Sequence, residues 1–180
     1  MTIFRRLGLL NKNQRGFTLI EMLIVLAISG FVTGTTTLTI FQVLDGNVRT
    51  NNQMDAISRV QDAGYQVSTD AEQAQTIVRT EDEDGFPLTL SWTDWENNDQ
   101  HQVIYSIVDN KLQREVSGTR YEFEYIFNTD PDTGELKTYL NEPDDEDDNT
   151  LSFTLTAIVG SGSQKQIETR VYEVIPRPKM

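Results

Sequence analysis

The chemistry legible in this chain centres on one carboxylate and one peptide bond. Glu21 is the only ionisable side chain in the apolar run Phe17–Leu44, FTLIEMLIVLAISGFVTGTTTLTIFQVL. An isolated charge at membrane depth costs at least about 2–3 kcal/mol, so such a residue calls for a partner. Gly16 stands just ahead of the run and follows a basic stretch holding Arg5, Arg6, Lys12 and Arg15. Cutting between Gly16 and Phe17 would free a positive amino terminus at the head of an apolar helix. In a bundle, that ammonium on one copy would neutralise Glu21 on its neighbour, and the pair would fix the register between the two helices.

Two plainer readings compete. An ordinary secretory signal has its apolar stretch before the cut and small residues at the cut. Ala27-Ile28-Ser29, with Gly30 following, would serve as such a site. That reading leaves Glu21 inside the apolar core, and the apolar run continues past Ser29 to Leu44. A single-span anchor without processing is the other. Lipid anchoring at a cysteine is excluded, because the chain has none.

The segment Arg15-Gly16-Phe17-Thr18-Leu19-Ile20-Glu21-Met22-Leu23 resembles the processing site of type IV prepilins and type II secretion pseudopilins. The shared pattern is a short basic leader, Gly, Phe, three apolar or small residues, Glu, and an apolar helix. The resemblance covers about the first 45 residues; beyond them it is one of layout only. It implies cleavage after Gly16 by a prepilin peptidase, N-methylation of Phe17, and assembly into a filament through Glu21. It implies as partners other pilin or pseudopilin subunits, the peptidase and an inner-membrane assembly platform. Length, the missing helix proline and a general likeness to J-type subunits favour a minor pseudopilin. A minor type IV pilin or a competence pseudopilin fits nearly as well.

Charge is divided along the chain. Four of the 15 Lys/Arg lie in residues 1–16, and none of the 28 Asp/Glu do. A product starting at Phe17 would carry 11 basic against 28 acidic side chains, a net of −17. Basic residues before the span and an acidic body after it place the amino terminus in the cytoplasm and the body outside it. The acidic body also argues against binding a nucleic-acid backbone, which needs positive charge. The absence of cysteine removes disulfides, thiolate metal sites and cysteine nucleophiles.

The elements that must position the acid follow from periodicity. Residues 1–16 read as a leader and 17–44 as a membrane-spanning assembly helix. As a helix, Phe17–Leu44 is about 42 Å long, more than the roughly 30 Å hydrocarbon core. Gly30 and Gly34 form a small-xxx-small pair that lets helices approach closely. With Thr35-Thr36-Thr37 they also loosen the helix locally. Asp45-Gly46-Asn47 interrupts the pattern briefly. A second helix follows over roughly 48–79, striped by Ile57, Val60, Gly64, Val67, Ala71, Ala74 and Val78. Its polar surface carries Gln53, Arg59, Gln61, Asp62, Gln66, Asp70, Glu72 and Gln73. A turn at Glu81-Asp82-Glu83-Asp84-Gly85 completes a 45–85 section.

Residues 86–180 read as an antiparallel sheet domain with a period of two. Strands are expected at Leu88–Trp92, Val103–Ile107, Leu112–Val116, Tyr121–Phe127, Leu136–Leu140, Leu151–Val159 and Ile167–Ile175. Tyr121, Phe123, Tyr125 and Phe127 form the expected apolar face of the fourth. Short turns such as Asp109-Asn110-Lys111 favour a meander. The fold class is therefore α+β: a long N-terminal helix, continued by an amphipathic helix laid on an antiparallel sheet.

Catalysis finds no support. His101 is the only histidine and lies in a polar turn, no phosphate loop is present, and no nucleophile pattern stands out. Trp92 reads as core and Trp95 as partly exposed; a partner or carbohydrate platform is the alternative. Two acidic stretches are calcium candidates. Asn128, Asp130 and Asp132 alternate ahead of Gly134, but that glycine is one place late for an EF-hand and Tyr139 stands where the closing Glu would be. Asp144, Asp145 and Asp147 lie in the run Asp144-Asp145-Glu146-Asp147-Asp148, which reads equally as a solvated loop. No cofactor other than calcium is expected. The expected function is a structural filament subunit. The alternative is a membrane-anchored β-domain that binds a partner without polymerising.

Overall fold

The structure, a computed structural model, describes residues 16–80, 82, 84–94, 96–141 and 150–177. Its contacts divide into two units, separated between Leu44 and Asp45. Helix α1 runs from Leu19 to Gln73. In the first unit every described side chain is exposed. That stretch is long and apolar enough to cross a membrane, with a mean hydropathy of 1.8 in its best window.

Threonines decorate this part of the helix. Thr35 and Thr36 donate their hydroxyls to carbonyls one turn back, as do Thr37 and Thr39, at 2.8–3.1 Å. Such back-bonding satisfies a hydroxyl without water and softens a helix. Gly30 and Gly34 leave open space on the helix surface, where an added Cβ would meet nothing within 4 Å.

The second unit, from Asp45, packs the rest of α1 on an antiparallel sheet. The helix continues through Asp45-Gly46-Asn47 without the expected interruption. One glycine costs a helix only about 1 kcal/mol, too little to break a long one. The buried stripe is Ala56, Val60, Ala63, Gly64, Val67, Asp70 and Ala71. Gly64 is there for space: a Cβ would run into the Tyr172 ring, whose hydroxyl donates to the Val60 carbonyl at 2.9 Å.

The helix ends at Gln73, short of the expected 79. Thr76–Val78 is instead strand β1, and Val78 is exposed rather than part of the helix stripe. Three β-branched residues in a row favour an extended edge over a last helical turn.

The strands are β1 (Thr76–Val78), β2 (Leu88–Thr93), β3 (Gln100–Val108), β4 (Lys111–Val116), β5 (Thr119–Phe127), β6 (Tyr139–Leu140), β7 (Leu151–Val159) and β8 (Gln166–Val174). From β1 to β5 they form the expected meander. Asp109 and Asn110 both have positive φ and join β3 to β4 in two residues. Ser117 and Gly118 do the same between β4 and β5. Both are the turn geometry that matches strand twist.

Beyond β5 the meander ends. β7 pairs with β8 along its full length on one edge. Its other edge meets β5 at Ala157 and β6 at Phe153 and Thr154. Between these, the Thr138 hydroxyl accepts the Thr156 N–H at 3.1 Å. The strand expected at 136–140 is thus two residues long, because Thr138 serves β7 with its side chain instead of its backbone.

The apolar face expected of β5 is also corrected. Tyr121 is exposed, Phe123 and Tyr125 are half-buried, and Ile126 is the buried residue. The register jumps between Lys111 and Gln113 opposite, and Tyr125 takes φ 70°. This bulge moves the chain from one partner strand to the next and turns over the side chains that follow it. β7 is buried on both faces, which its period-two sequence did not suggest.

Candidate processing and assembly site

Gly16, Phe17 and Thr18 precede the helix without regular secondary structure, so the bond proposed for cleavage lies outside helix and strand. Beyond its two chain neighbours, a Cβ built on Gly16 meets no described residue within 4 Å, and Phe17 is 74% exposed.

Thr18 organises the first turn. The Glu21 N–H donates to the Thr18 hydroxyl at 3.3 Å and to the Thr18 carbonyl at 3.0 Å, and Met22 N–H donates to the same carbonyl at 3.2 Å. Thr18 is therefore the N-cap and Glu21 the third helical residue, the spacing of a capping box. An acid in the first turn also meets the positive end of the helix dipole. The sequence reading missed this second account of Glu21. Thr-x-x-Glu ahead of an apolar run was the signal available.

The calcium candidates are placed as follows. Asp144, Asp145 and Asp147 lie outside the described residues, as does Trp95. The side-chain amide of Asn128 donates to Asp84 Oδ2 at 3.1 Å and to the Thr138 carbonyl at 3.0 Å. Asp130 and Asp132 converge on Lys165, whose Nζ lies 2.6 Å from Asp130 Oδ1 and 2.6 Å from Asp132 Oδ2. Among the described residues no group of three or more His, Asp or Glu is arranged to hold a metal ion.

Lys165 holds the Asp130 carboxyl below the usual carboxylate range, helped by the Asp132 N–H. The two carboxylates in turn raise the Lys165 ammonium. The lowered acid contributes stability above its unfolded pKa near 3.9, lost as pH falls through the folded value. The raised ammonium contributes below about 10.4, lost as pH rises through its folded value.

Asp70, assigned to the polar helix surface from sequence, is buried instead. Arg114 grips it with two bonds, Nε to Oδ2 at 2.7 Å and Nη2 to Oδ1 at 2.9 Å. The Tyr105 hydroxyl donates to Oδ2 at 2.6 Å. Tyr105 and Arg114 are register partners on β3 and β4, so the sheet presents both to one helix carboxylate. Burial, then the Asp70 charge, pushes the Tyr105 phenol up, and the Asp70 bond raises the Arg114 guanidinium. This cluster is fully paired and ties α1 to the sheet.

His101, expected in a polar turn, lies in β3 as the register partner of Trp92 and stacks on it at 5.5 Å between ring centres, and Trp92, expected in the core, is half-buried.

The site and fold define a class: an α+β protein with a membrane-length N-terminal helix, led by an open peptide bond and a lone acid. The comparison with protein families fits that class. The model described as the prokaryotic N-terminal methylation motif matches residues 11–37. Over those residues the chain is similar to the N-terminal segment of prepilins and pseudopilins. Such a segment implies pilin-type partners and a peptidase in general terms. No curated protein and no solved structure matches the chain.

Proposed function

We propose that this chain is a structural subunit, a minor pseudopilin or pilin, of a type II secretion-like or type IV pilus-like filament. In this reading it is cleaved after Gly16, methylated on the Phe17 amine, and stacked through the helix that starts at Leu19. The amino terminus faces the cytoplasm before assembly, and the acidic unit lies outside the inner membrane. A J-like position near the filament tip agrees with the length of the chain and with the absence of proline before Pro87. The protein performs no catalysis of its own.

The supporting observation is the pairing of an open Gly16–Phe17 bond with a single acid one turn into an exposed apolar helix. Each new ammonium would meet Glu21 of a neighbour in a bundle core, where both charges are costly alone. A head-to-tail contact of this kind builds a fibre where its rotation does not close a ring. The prepilin peptidase and an assembly platform in the inner membrane are the further partners this requires.

The place of Glu21 in the first helical turn favours a second reading. The positive end of the helix dipole stabilises a carboxylate there without a neighbour, and the chain would then be an anchored β-domain that binds a partner as a monomer. Mass spectrometry of the protein from its native host separates processing from anchorage. The filament reading expects a product starting at methylated Phe17. A chain still beginning at Met1, or one cut beyond Ser29, contradicts it.

A further inference from the structure

The turn after β5 has the composition of an ion-binding loop, yet its cation is part of the chain. Asp130 is buried, with a side chain 5% exposed, and Lys165 is 16% exposed. The Asp130 carboxylate also accepts the Asp132 N–H at 2.9 Å. The backbone closes the same turn, with Gly134 N–H on the Asp130 carbonyl and Asp130 N–H on the Glu135 carbonyl, both at 2.8 Å.

The geometry matches a tethered ammonium. A Lys Nζ has three donors and a single charge, and charge-assisted bonds to carboxylates are short. Calcium would draw six to eight oxygens to about 2.3–2.6 Å, and the same space cannot hold both.

The position of Lys165 gives the contact a reach beyond the turn. Lys165 follows the short 3₁₀ turn Gly162–Gln164 that connects β7 to β8. Gln164 is held by α1 on two sides: its carbonyl accepts from Asn52 at 2.9 Å, and its side-chain amide donates to Asp45 at 2.8 Å. One run of bonds therefore joins the 130–132 turn, the β7–β8 connection and the start of the second unit's helix.

We propose that Lys165 is a built-in cation that takes the place of a divalent metal ion in the 128–134 turn, so that this part of the fold is closed without calcium. The inference is independent of processing and assembly. The test is thermal unfolding of the full chain in detergent, with calcium and with EDTA, combined with limited proteolysis mapped to 128–137. The wild type is expected to melt at one temperature in both buffers. Lys165→Gln is expected to melt about 2–4 °C lower for each factor of roughly five lost in folding equilibrium, and to be cut faster within 128–137. Adding Asp132→Asn to Lys165→Gln is expected to cost less than the two single losses together, since both remove one contact. A wild type that loses stability in EDTA, or a Lys165→Gln protein as stable and as protease-resistant as the wild type, would overturn the proposal.

Discussion

The two units of this molecule treat apolar surface in opposite ways. From Phe17 to Leu44 the chain exposes Phe17, Leu19, Ile20, Leu23, Leu26, Phe31 and the rest of an apolar helix, and buries none of it. From Asp45 onward it buries Val60, Leu88, Leu90, Val103, Leu112, Ile126 and Phe153 around one core. Polar groups follow the same division. Among the described residues no buried side-chain nitrogen or oxygen lacks a partner. The second unit contains the partners its folding needs. The first carries groups whose partners lie elsewhere: lipid for the apolar surface and, in our reading, another subunit for Glu21. Stability should therefore be sensitive to substitutions in one unit, and assembly to substitutions in the other.

The largest expected breach of self-sufficiency is Asp70→Ala. It strands Arg114 and Tyr105 beside an empty site, and unpairing a buried ion pair costs about 3–5 kcal/mol. Thermal unfolding of the full chain in detergent should show that loss. A change below about 1 kcal/mol would mean the cluster does not hold helix to sheet. Gly64→Ala should come next, at about 1–3 kcal/mol, because the new methyl meets the Tyr172 ring. The same substitution in a Tyr172→Leu background should cost less, and equal costs in both backgrounds would remove Tyr172 as the reason for the glycine.

How much was legible in the residues follows the same division. The apolar N-terminal helix was readable because composition and order alone specify it. Asn110 and the alternating runs of β2, β3, β7 and β8 were equally plain, since turn chemistry and a period of two are local signals. The failures were tertiary. Ala74 and Val78 continued a helical period by accident, while Thr76-Ile77-Val78 was already a strand. The bulge at Tyr125 reversed the face of β5, and nothing in a perfect alternation announces a bulge. Asp70 read as surface because its partners Arg114 and Tyr105 are 44 and 35 residues away. Lys165 was passed over for the same reason: the ion-like turn was visible at 128–134, and its cation is supplied from a different hairpin.

The central claim is that Glu21 pairs with the free amino terminus of a neighbouring copy, and its two accounts can be separated by charge. Glu21→Gln keeps a capping-box side chain at the third helical position, but it cannot neutralise an ammonium. The measurement is the amount of this variant recovered in sheared filaments from the native host, alongside its cleavage at Gly16 and its melting temperature. We predict normal cleavage, an unchanged melting temperature and loss of incorporation. Normal incorporation of Glu21→Gln would show that the first-turn cap is the whole role of this acid and contradict the account.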